Sequence, residues 1–537
     1  MNPRIDVSFA AIAPELVLTG AALVLLLVAI TRGRPQLVML PVGLATIALG
    51  AWVAIGGDLV PGVVLALLGI AAPVLPVLMP GRATLVQAWG AGLALGAALV
   101  LTMWQVGPIF DGGRLVASVE FAGSFASDGI TLFTRLTVYL SALLVVPLGY
   151  AYLQERRINR AEVESLILLA AVGMTMLGGA NDLVTAFVAL EVLSFALYVL
   201  ASLARRDRRS QEAGVKYFVT GAVASAVLLY GLALLYVATG TLSIPGIGAS
   251  ITSVLVPRGV AMAGLVLVTI GVAFKVALVP FHFWTPDVYQ GAPTNITAFM
   301  AAATKAAGFA AVLRLYMVAF PALESLWVPI LAGLAAITML YGAIVALVQG
   351  DLKRILAYSA ITHAGYAIIG VTANSDAGLT STLWYLLTYA IGTIGAFGCV
   401  IALERRRRGE VTLKELRGLG RTSPLLAGIL ALSLLSLAGI PATAGFIGKL
   451  LVFQAGIAAG LTWLVIIGVL SSVIAAFFYL RIAATMFLEE PDPERGLPVV
   501  STGLSLGVSV AATLIIYLGV YPQPFLQIVE TAAALVR

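Results

Sequence analysis

Charged residues are scarce in this sequence. They make up 10% of its 537 residues, whereas 61% of the residues are hydrophobic and the mean hydropathy is +1.05. A soluble protein carries about 25% charged residues, so this composition excludes a soluble globular enzyme and predicts a polytopic membrane protein. The formal charge of +6 does not indicate a nucleic-acid partner, because the basic residues fall in short loops between apolar stretches.

Cysteine and histidine are almost absent as well. The single cysteine, Cys399, excludes a disulfide framework and any cysteine-ligated cluster held by this chain alone. The chain contains only two histidines, His282 and His363. It also lacks a glycine-rich phosphate loop and a dinucleotide fingerprint. We therefore expect no metal, nucleotide or redox cofactor in this chain.

Long apolar runs fill almost the whole chain. A membrane span needs about 20 apolar residues, and roughly sixteen candidates can be counted, with no large soluble domain between them. Their centres are Leu23, Ala48, Gly69, Leu95, Val138, Val172, Val192, Ala226, Thr269, Ala307, Gly333, Ala364, Ile391, Ser436, Leu470 and Val510.

Basic residues cluster in alternate connections between these spans. The clusters are Arg32 and Arg34, Arg82, Arg156 with Arg157 and Arg160, residues 205–209, Lys353 and Arg354, residues 405–421, and Arg481 with Arg495. Positively charged loops stay in the cytoplasm. Both termini are therefore predicted on the outer side of a bacterial inner (cell) membrane.

Two spans combine helix-breaking residues with a lysine. In FKVALVPFHFWTPDVYQGAP, Lys275 precedes Pro280, and in LSLLSLAGIPATAGFIGKLLVF, Gly439 and Pro441 precede Lys449. Proline removes a helical N–H group, and a broken helix at membrane depth is tolerated only where it is buried in protein or lines a wet cavity. Two such segments in corresponding places indicate a duplicated transporter fold.

Several ionisable residues are predicted inside the membrane. Glu191, Lys275 and Lys305 lie near the middle of their spans, Lys449 follows the second break, and Lys216 lies closer to the cytoplasmic side. A charged side chain at the bilayer centre costs about 3 kcal/mol or more, so it persists only beside water or a counter-charge. One interpretation is a set of ion pairs that fixes helix register. The clustering at one depth favours the other, a proton relay in which Glu191 is the switchable partner of Lys275.

The two histidines are further relay candidates. An imidazole titrates near physiological pH, which favours His282, located beyond the first break. His363 is predicted to bridge Lys305 and Lys449. The neighbouring tyrosines Tyr366, Tyr385 and Tyr389 are additional candidates, although histidines and tyrosines at such positions more often serve hydrogen bonding and packing.

Five segments together are specific to a known family. They are LEVLSFALYVL, RSQEAGVKYFVTGAVASAVLLYGLALLYVATGTL, FKVALVPFHFWTPDVYQGAPTNITAFMAAATKAAGF, DLKRILAYSAITHAGY and LAGIPATAGFIGKL. They strongly resemble the antiporter-like subunits of proton-pumping NADH-quinone oxidoreductase, respiratory complex I, over residues 128–520. The resemblance implies a fourteen-helix core with two inverted repeats. It also implies a Glu–Lys pair at Glu191 and Lys275, a central lysine at Lys305 and an exit residue at Lys449.

We accordingly predict an all-α polytopic membrane fold in five parts. These are N-terminal spans (1–127), a core span (128–161), a first five-helix repeat (162–320), a second five-helix repeat (321–490), and a last span with an interfacial C-terminal helix (491–537). Two N-terminal spans, 36–56 and 60–80, are additional to the family core. Residues 404–418 are predicted to form a short amphipathic surface helix.

The resemblance implies a proton-translocating subunit of NADH-quinone oxidoreductase, a translocase, without a redox centre of its own. Lys449 and the short chain after the last span make it most similar to the subunit N type. FMN, iron–sulfur clusters and quinone are implied on other subunits. The implied partners are neighbouring antiporter-like and small membrane subunits, the lipid bilayer and protons, with no nucleic acid. The alternatives are a subunit of a multisubunit cation/proton antiporter with no redox partner, and a scaffold without proton flux.

Overall fold

The computed structural model describes residues 9–30, 36–55, 59–78, 83–110, 117–158, 162–406, 411–491, 497–534 and 536. These residues are almost entirely helical. Some of the basic residues that were used to predict the membrane orientation lie outside the described part of the chain. They are Arg32, Arg34, Arg82, Arg160 and Arg495.

Four helices form the N-terminal region: α1 (Ala13–Ile30), α2 (Gln36–Ile55), α3 (Leu59–Leu78) and α4 (Ala83–Phe110). Helices α2 and α3 correspond to the two additional predicted spans and pack against each other through glycines. A Cβ atom on Gly43 would lie 2.6 Å from the Gly69 carbonyl oxygen, and one on Gly50 would lie 2.6 Å from the Gly62 carbonyl oxygen. Only residues without side chains allow this approach of two helix backbones.

A small antiparallel hairpin, β1 (Ser118–Glu120) and β2 (Phe125–Ser127), leads into α5 (Gly129–Glu155). A buried ion pair joins α5 to the first helix, because Arg135 Nη2 lies 2.7 Å from Glu15 Oε2 on α1. A second buried pair, Arg314 Nη2 with Asp128 Oδ1 at 2.8 Å, fixes the start of α5 to a later span. Both arginines that carried no predicted role are therefore structural ion-pair partners.

The predicted first repeat begins after α5. Its helices are α6 (Val163–Gly179), α7 (Leu183–Ala201), α8 (Arg208–Thr239), α9 (Ile244–Ser250), α10 (Arg258–Val276), α11 (Trp284–Gly291), α12 (Thr294–Phe299) and α13 (Lys305–Leu313). A π-helical turn, Met300–Thr304, joins α12 to α13, and another, Arg314–Ala319, follows α13.

The rest of the chain is also helical. It contains α14 (Glu324–Leu347), α15 (Leu352–Thr372), α16 (Asp376–Arg406), α17 (Leu419–Thr422), α18 (Pro424–Ala438), α19 (Ala444–Ala458), α20 (Thr462–Leu488), α21 (Thr502–Val520) and α22 (Gln523–Ala533). Along the whole described chain, short 3₁₀ turns occur at Phe9–Ile12, Phe121–Gly123, Pro321–Leu323 and Leu413–Leu416.

The predicted all-α membrane fold is confirmed. Every one of the sixteen predicted span centres lies inside a helix, and 13 helices among the described residues are long and apolar enough to cross a membrane. Three spans, Thr294–Ala319, Leu352–Thr372 and Asp376–Arg405, each contain an 18-residue stretch that is entirely buried within the protein. They form the centre of the molecule. The inverted relation of the repeats and the five part boundaries stay predictions.

The predicted surface helix over 404–418 was wrong. Its first residues continue α16, residues 407–410 lie outside the described chain, and the remainder forms only the turn Leu413–Leu416. Thr412 starts that turn by exchanging hydrogen bonds with Glu415, which closes it locally. The C-terminal segment does form a helix, α22, and its Ala532 backbone packs directly on Gly129 of α5.

Candidate proton-relay site

The first broken helix ends before its proline. Helix α10 stops at Val276, and Ala277 adopts a left-handed conformation with φ 63°. The Leu278 N–H group then donates to the Ala273 carbonyl oxygen at 2.8 Å, which is how a helix end is commonly closed. The break therefore starts upstream of Pro280, which lies within the linker to α11.

Side chains from neighbouring elements satisfy the opened backbone. Trp284 Nε1 donates to the Phe274 carbonyl oxygen at 3.0 Å, and the Val279 N–H group donates to Thr338 Oγ1 on α14 at 3.0 Å. The Val279 N–H group would otherwise be a buried polar group without a partner, which is costly at membrane depth. The Phe274 carbonyl oxygen also accepts a hydrogen bond from the Ala277 N–H group, at 3.1 Å. The linker is therefore held in one conformation from two sides.

The second broken helix uses a glycine and a lysine. Helix α18 ends at Ala438, Gly439 has φ 83°, and Pro441 lies in the linker to α19. Lys449 Nζ donates to the Ala438 carbonyl oxygen at 2.7 Å and to Ser472 Oγ at 2.7 Å. The lysine thus occupies the carbonyl end of α18, where the helix dipole favours a cation.

Lys275 is buried at the end of α10, but it does not touch Glu191. Its Nζ donates to Ser194 Oγ at 2.8 Å and lies 5.8 Å from the ring centroid of Tyr217. Among the described residues, no hydrogen bond or ion pair within 4.0 Å joins Lys275 to Glu191, and Glu191 Oε1 is buried without a hydrogen-bond partner. The hydroxyl that Lys275 contacts lies one helical turn beyond the glutamate, and the pairing of Glu191 with Lys275 stays a prediction.

Lys305 lies at the centre of the molecule, directly after the π-helical turn. Its Nζ donates to the Ala360 carbonyl oxygen on α15 at 2.5 Å and lies 5.6 Å from the ring centroid of Tyr389. π-Helical turns are rare and are frequently found at functional sites. This turn adds a residue before Lys305 and so sets the direction in which the lysine projects.

His363 connects the central lysine to the second break. Its Nδ1 lies 2.5 Å from the Tyr385 hydroxyl, its Nε2 lies 3.3 Å from the Tyr479 hydroxyl, and its ring centroid is 4.9 Å from that of Tyr389. Lys305 and Lys449 both interact with it electrostatically. Both His363 and Lys305 approach the Tyr389 ring, and the bridging role of His363 stays a prediction.

Tyr366 completes this cluster on the Lys449 side. Its ring centroid lies 5.5 Å from that of His363, and Lys449 Nζ lies 4.8 Å from the Tyr366 ring centroid. The Ser471 hydroxyl donates to the Tyr366 hydroxyl at 3.0 Å. We call Lys305, Tyr389, His363, Tyr385, Tyr366, Tyr479 and Lys449 the central cluster.

Four relay candidates lie outside the central cluster: Glu191 and Lys275, described above, and His282 and Lys216. The ring of His282 packs edge-to-face on Tyr341, with centroids 4.7 Å apart, and its Nδ1 is buried without a hydrogen-bond partner. Lys216 is 42% exposed and pairs with Glu212 at 2.6 Å and with Asp287 at 2.7 Å. Lys216 therefore belongs to a partly solvated ion-pair group near one end of its span.

Known proteins with similar sequences identify the family of this chain. Residues 180–475 match the family described as NADH:quinone oxidoreductase/Mrp antiporter, TM. NADH-quinone oxidoreductase subunit N of Rhodococcus opacus (strain B4) is 49% identical over 384 residues, which cover 71% of each chain. The protein of that name from Trichlorobacter lovleyi is 38% identical over 486 residues, covering 89% of this chain and 97% of that one. The chain belongs to the NADH-quinone oxidoreductase subunit N family.

Solved structures agree with this assignment of the subunit N family. A chain of respiratory complex I from Thermus thermophilus with bound aureothin superimposes with a TM-score of 0.71 at 34% identity, covering 86% of this chain and 98% of that one. A chain of the Mrp complex from Dietzia sp. DQ12-45-1b has a TM-score of 0.76 at 24% identity, covering 91% of this chain and 97% of that one, and shows the shared fold alone. The predicted family, and with it the predicted membership of a translocase, is confirmed.

The structure adds residues to the candidate site that the sequence did not single out. Ser194 and Ser472 bind lysines, and Tyr479 reaches His363 from α20, distant in the chain. Only Ser194 had a sequence signal, because it follows Glu191 by three residues and so shares its helix face. No group of three or more histidine, cysteine or acidic residues that could hold a metal occurs in the described part of the chain.

The sequence also did not predict a buried polar cluster around Lys353 and Glu404. Lys353, which the charge pattern assigned to a connection between spans, is buried and donates to the Ala292 carbonyl oxygen at 2.7 Å. Glu404 lies 3.9 Å from its Nζ and accepts hydrogen bonds from Tyr152 at 2.9 Å and Thr294 at 2.8 Å. These contacts tie α5, α12, α15 and α16 together.

Proposed function

We propose that this chain translocates protons as a membrane subunit of NADH-quinone oxidoreductase, through Lys275, Lys305, His363 and Lys449. The observation that carries the proposal is the central cluster, in which hydroxyl and imidazole groups occupy the space between two buried lysines. Protons move between such groups by exchange along hydrogen bonds and intervening water. An apolar span provides neither.

The hydrogen bonds of the lysines support this function. The acceptors of Lys275, Lys305 and Lys449 are hydroxyl and carbonyl oxygens, and no carboxylate pairs with them among the described residues. A buried ammonium without a counter-charge is costly. Such a group is suited to bind a proton and release it when its surroundings change.

In this proposal His363 passes protons between Lys305 and Lys449. A neutral imidazole has one donor and one acceptor nitrogen, and each ring nitrogen of His363 faces a tyrosine hydroxyl. Accepting a proton at one nitrogen and releasing one at the other transfers charge across the ring without moving the side chain. In this proposal Lys305 supplies the proton and Lys449 receives it.

The driving force comes from other subunits in this proposal. Electron transfer from NADH through FMN and iron–sulfur clusters to quinone would change the electrostatic field at Glu191 and thereby the interaction between Glu191 and Lys275. The chain would sit in a bacterial inner membrane beside antiporter-like and small membrane subunits, with both termini outside. Lys216 and His282, which lie outside the central cluster, would act earlier than Lys305 if they carry protons.

A cation/proton antiporter subunit is the second candidate function. It is favoured by the fold shared with the Dietzia Mrp complex. The two candidates differ in their partners, so purification of the chain in mild detergent separates them. Copurification of NADH-oxidising activity supports the redox complex, and isolation with only small membrane proteins supports the antiporter.

The Lys449→Ala variant tests proton flux through this chain. The matched control is Gln454→Ala, an exposed position on the same helix, α19. We expect the complex carrying Lys449→Ala to assemble and to pump fewer protons per NADH oxidised than the control. Pumping equal to that of the control would contradict the proposal and support a scaffold role.

A further inference from the structure

Lys275 has more hydrogen-bond donors than the protein supplies acceptors. An ammonium group has three N–H donors, and Ser194 Oγ is its one hydrogen-bond acceptor among the described residues. The Tyr217 ring, 5.8 Å from Nζ, covers a further side. The buried ammonium therefore needs at least one additional acceptor.

The Ser194 hydroxyl has a defined hydrogen-bond polarity. It donates its single proton to the Leu190 carbonyl oxygen at 2.5 Å and accepts from Lys275 Nζ at 2.8 Å. This pattern suits a protonated lysine. A neutral amine needs a donor instead, so the hydroxyl proton of Ser194 must then turn from Leu190 towards Nζ, or another group must donate.

Ser194 belongs to a polar stripe on α7. Glu191, Ser194 and Tyr198 follow one another at spacings of three and four residues, which places them on one face of a helix. Tyr198 interacts with both Ser194 and Glu191. Its hydroxyl packs directly on the backbone of Gly221 in α8, where any larger residue would collide with it.

A small cavity adjoins this stripe and Lys275. Its volume is about 10 Å³, and its polar lining consists of Lys275, Ser194, Tyr198 and Ser225. A cavity of about this size holds one water molecule when two to four polar groups surround it. The lining meets that requirement.

We propose that Ser194 and one water molecule in this cavity form a hydroxyl bridge through which Lys275 and Glu191 exchange a proton. The inference rests on the proposed proton translocation. In the transfer, an N–H bond of Lys275 breaks as an O–H bond forms on the water. The water gives up one of its own protons, which passes through the hydroxyl groups of the stripe to the Glu191 carboxylate. No direct contact between lysine and glutamate is required.

Serine variants in the assembled complex test the bridge. Ser194→Ala removes the hydroxyl, and Ser194→Thr retains it. Ser141→Ala is the control, because Ser141 is also buried but bonds only to the Thr137 carbonyl oxygen of its own helix. The measured quantity is the number of protons pumped per NADH oxidised by membrane vesicles that contain equal amounts of complex.

We expect Ser194→Ala to lose as much pumping as Lys275→Met, Ser194→Thr to recover most of it, and Ser141→Ala to pump like the unmodified complex. Ser194→Cys, which preserves the shape but is a weak hydrogen-bond donor, is expected to fall between them and can be measured even if Ser194→Ala assembles poorly. Unchanged pumping in Ser194→Ala or Ser194→Cys would overturn the bridge. If Lys275→Met also pumps normally, the proposed function fails with it; if Lys275→Met does not, only the bridge fails.

Discussion

At the scale of single residues, two buried arginines and three buried lysines of this chain differ in the groups that they bind. Arg135 and Arg314 each bind a carboxylate within 3 Å, and their charges are neutralised in place. Within the described part of the chain, Lys275, Lys305 and Lys449 donate only to hydroxyl and carbonyl oxygens. The arginines remain charged at all physiological pH values, so they fix helices together, whereas in the proposed function the lysines change protonation state.

The tyrosine hydroxyls of the central cluster provide the first test at this scale. Tyr385→Phe removes the hydroxyl that lies 2.5 Å from His363 Nδ1 but keeps the ring. We expect the pumping rate to fall by up to about tenfold, the equivalent of one lost hydrogen bond between neutral groups. The rate is measured from the initial acidification of vesicles upon NADH addition.

Tyr316→Phe is the control for this change, because Tyr316 is equally buried and its hydroxyl bonds only to Thr269. Equal pumping rates for the two variants would show that the Tyr385 hydroxyl carries no proton.

The sequence was most informative where a residue type is rare in a membrane. Buried lysines and histidines stand out among apolar residues, and Lys305, His363 and Lys449 are indeed close in space. Serines and tyrosines are common in spans, so Ser194 and Tyr479 gave no comparable signal. The sequence also cannot measure distance across helices, so it paired Glu191 with Lys275 without showing that Ser194 is the group that Lys275 contacts.

At the scale of helical elements, each of the two broken helices is closed by a residue in the left-handed backbone conformation. Ala277 closes α10 and Gly439 closes α18. The expectation had been that Pro280 itself sets the first break. The proline correctly indicated that this span is broken. The backbone turns three residues earlier, at Ala277, where contacts of the linker with neighbouring helices determine the backbone conformation.

Gly439 is expected to be irreplaceable in the second break. A side chain there would adopt φ 83° at a cost of about 1–2 kcal/mol, and its Cβ would lie 2.7 Å from Lys449 Cδ. We expect Gly439→Ala to lower both the thermal stability and the pumping of the complex. Gly428→Ala on the same helix, where no atom lies within 4 Å of a new Cβ, should change neither, and equal behaviour of the two variants would contradict this role of Gly439.

The linker of the first break is expected to depend on Thr338. Replacing it by valine leaves the buried Val279 N–H group without its acceptor, at a cost of about 1–3 kcal/mol. We expect Thr338→Val to lower the midpoint of thermal inactivation of NADH-driven pumping, while Thr338→Ser, which keeps the hydroxyl, should not. An unchanged midpoint in the valine variant would mean that the linker is held by other contacts.

At the scale of the whole molecule, a buried ion pair attaches the first helix to the core. Arg135 binds Glu15 and also Gln105 on α4, so α1, α4 and α5 meet at one guanidinium. Removing one partner of a buried pair costs about 3–5 kcal/mol. We expect Glu15→Ala to reduce the amount of the chain recovered in the assembled complex.

Thr19→Val is the control for Glu15→Ala, because Thr19 lies on the same helix and bonds only to the Glu15 backbone carbonyl oxygen. The amount of assembled complex is measured by native electrophoresis of membranes. Recovery of Glu15→Ala at the level of Thr19→Val would show that α1 is held mainly by apolar packing.

Hydropathy and helix-breaking residues were sufficient to locate the helices, because apolar length is nearly all that a span requires. Features that depend on contacts between helices were not accessible in this way. Lys353 was expected at the surface from its position near a helix start, yet Glu404 from another helix and the Ala292 carbonyl hold it inside. Residues 404–418 were expected to be helical from their charge pattern alone.

The most direct test of proton transfer through the centre of the molecule is the Lys305→Ala variant. The measurement is the number of protons translocated per electron in vesicles in which the complex is fully assembled and still oxidises NADH. We expect a lower ratio than in the unmodified complex, because the central cluster then has no proton donor for His363. An unchanged ratio would contradict the central role assigned to the buried lysines.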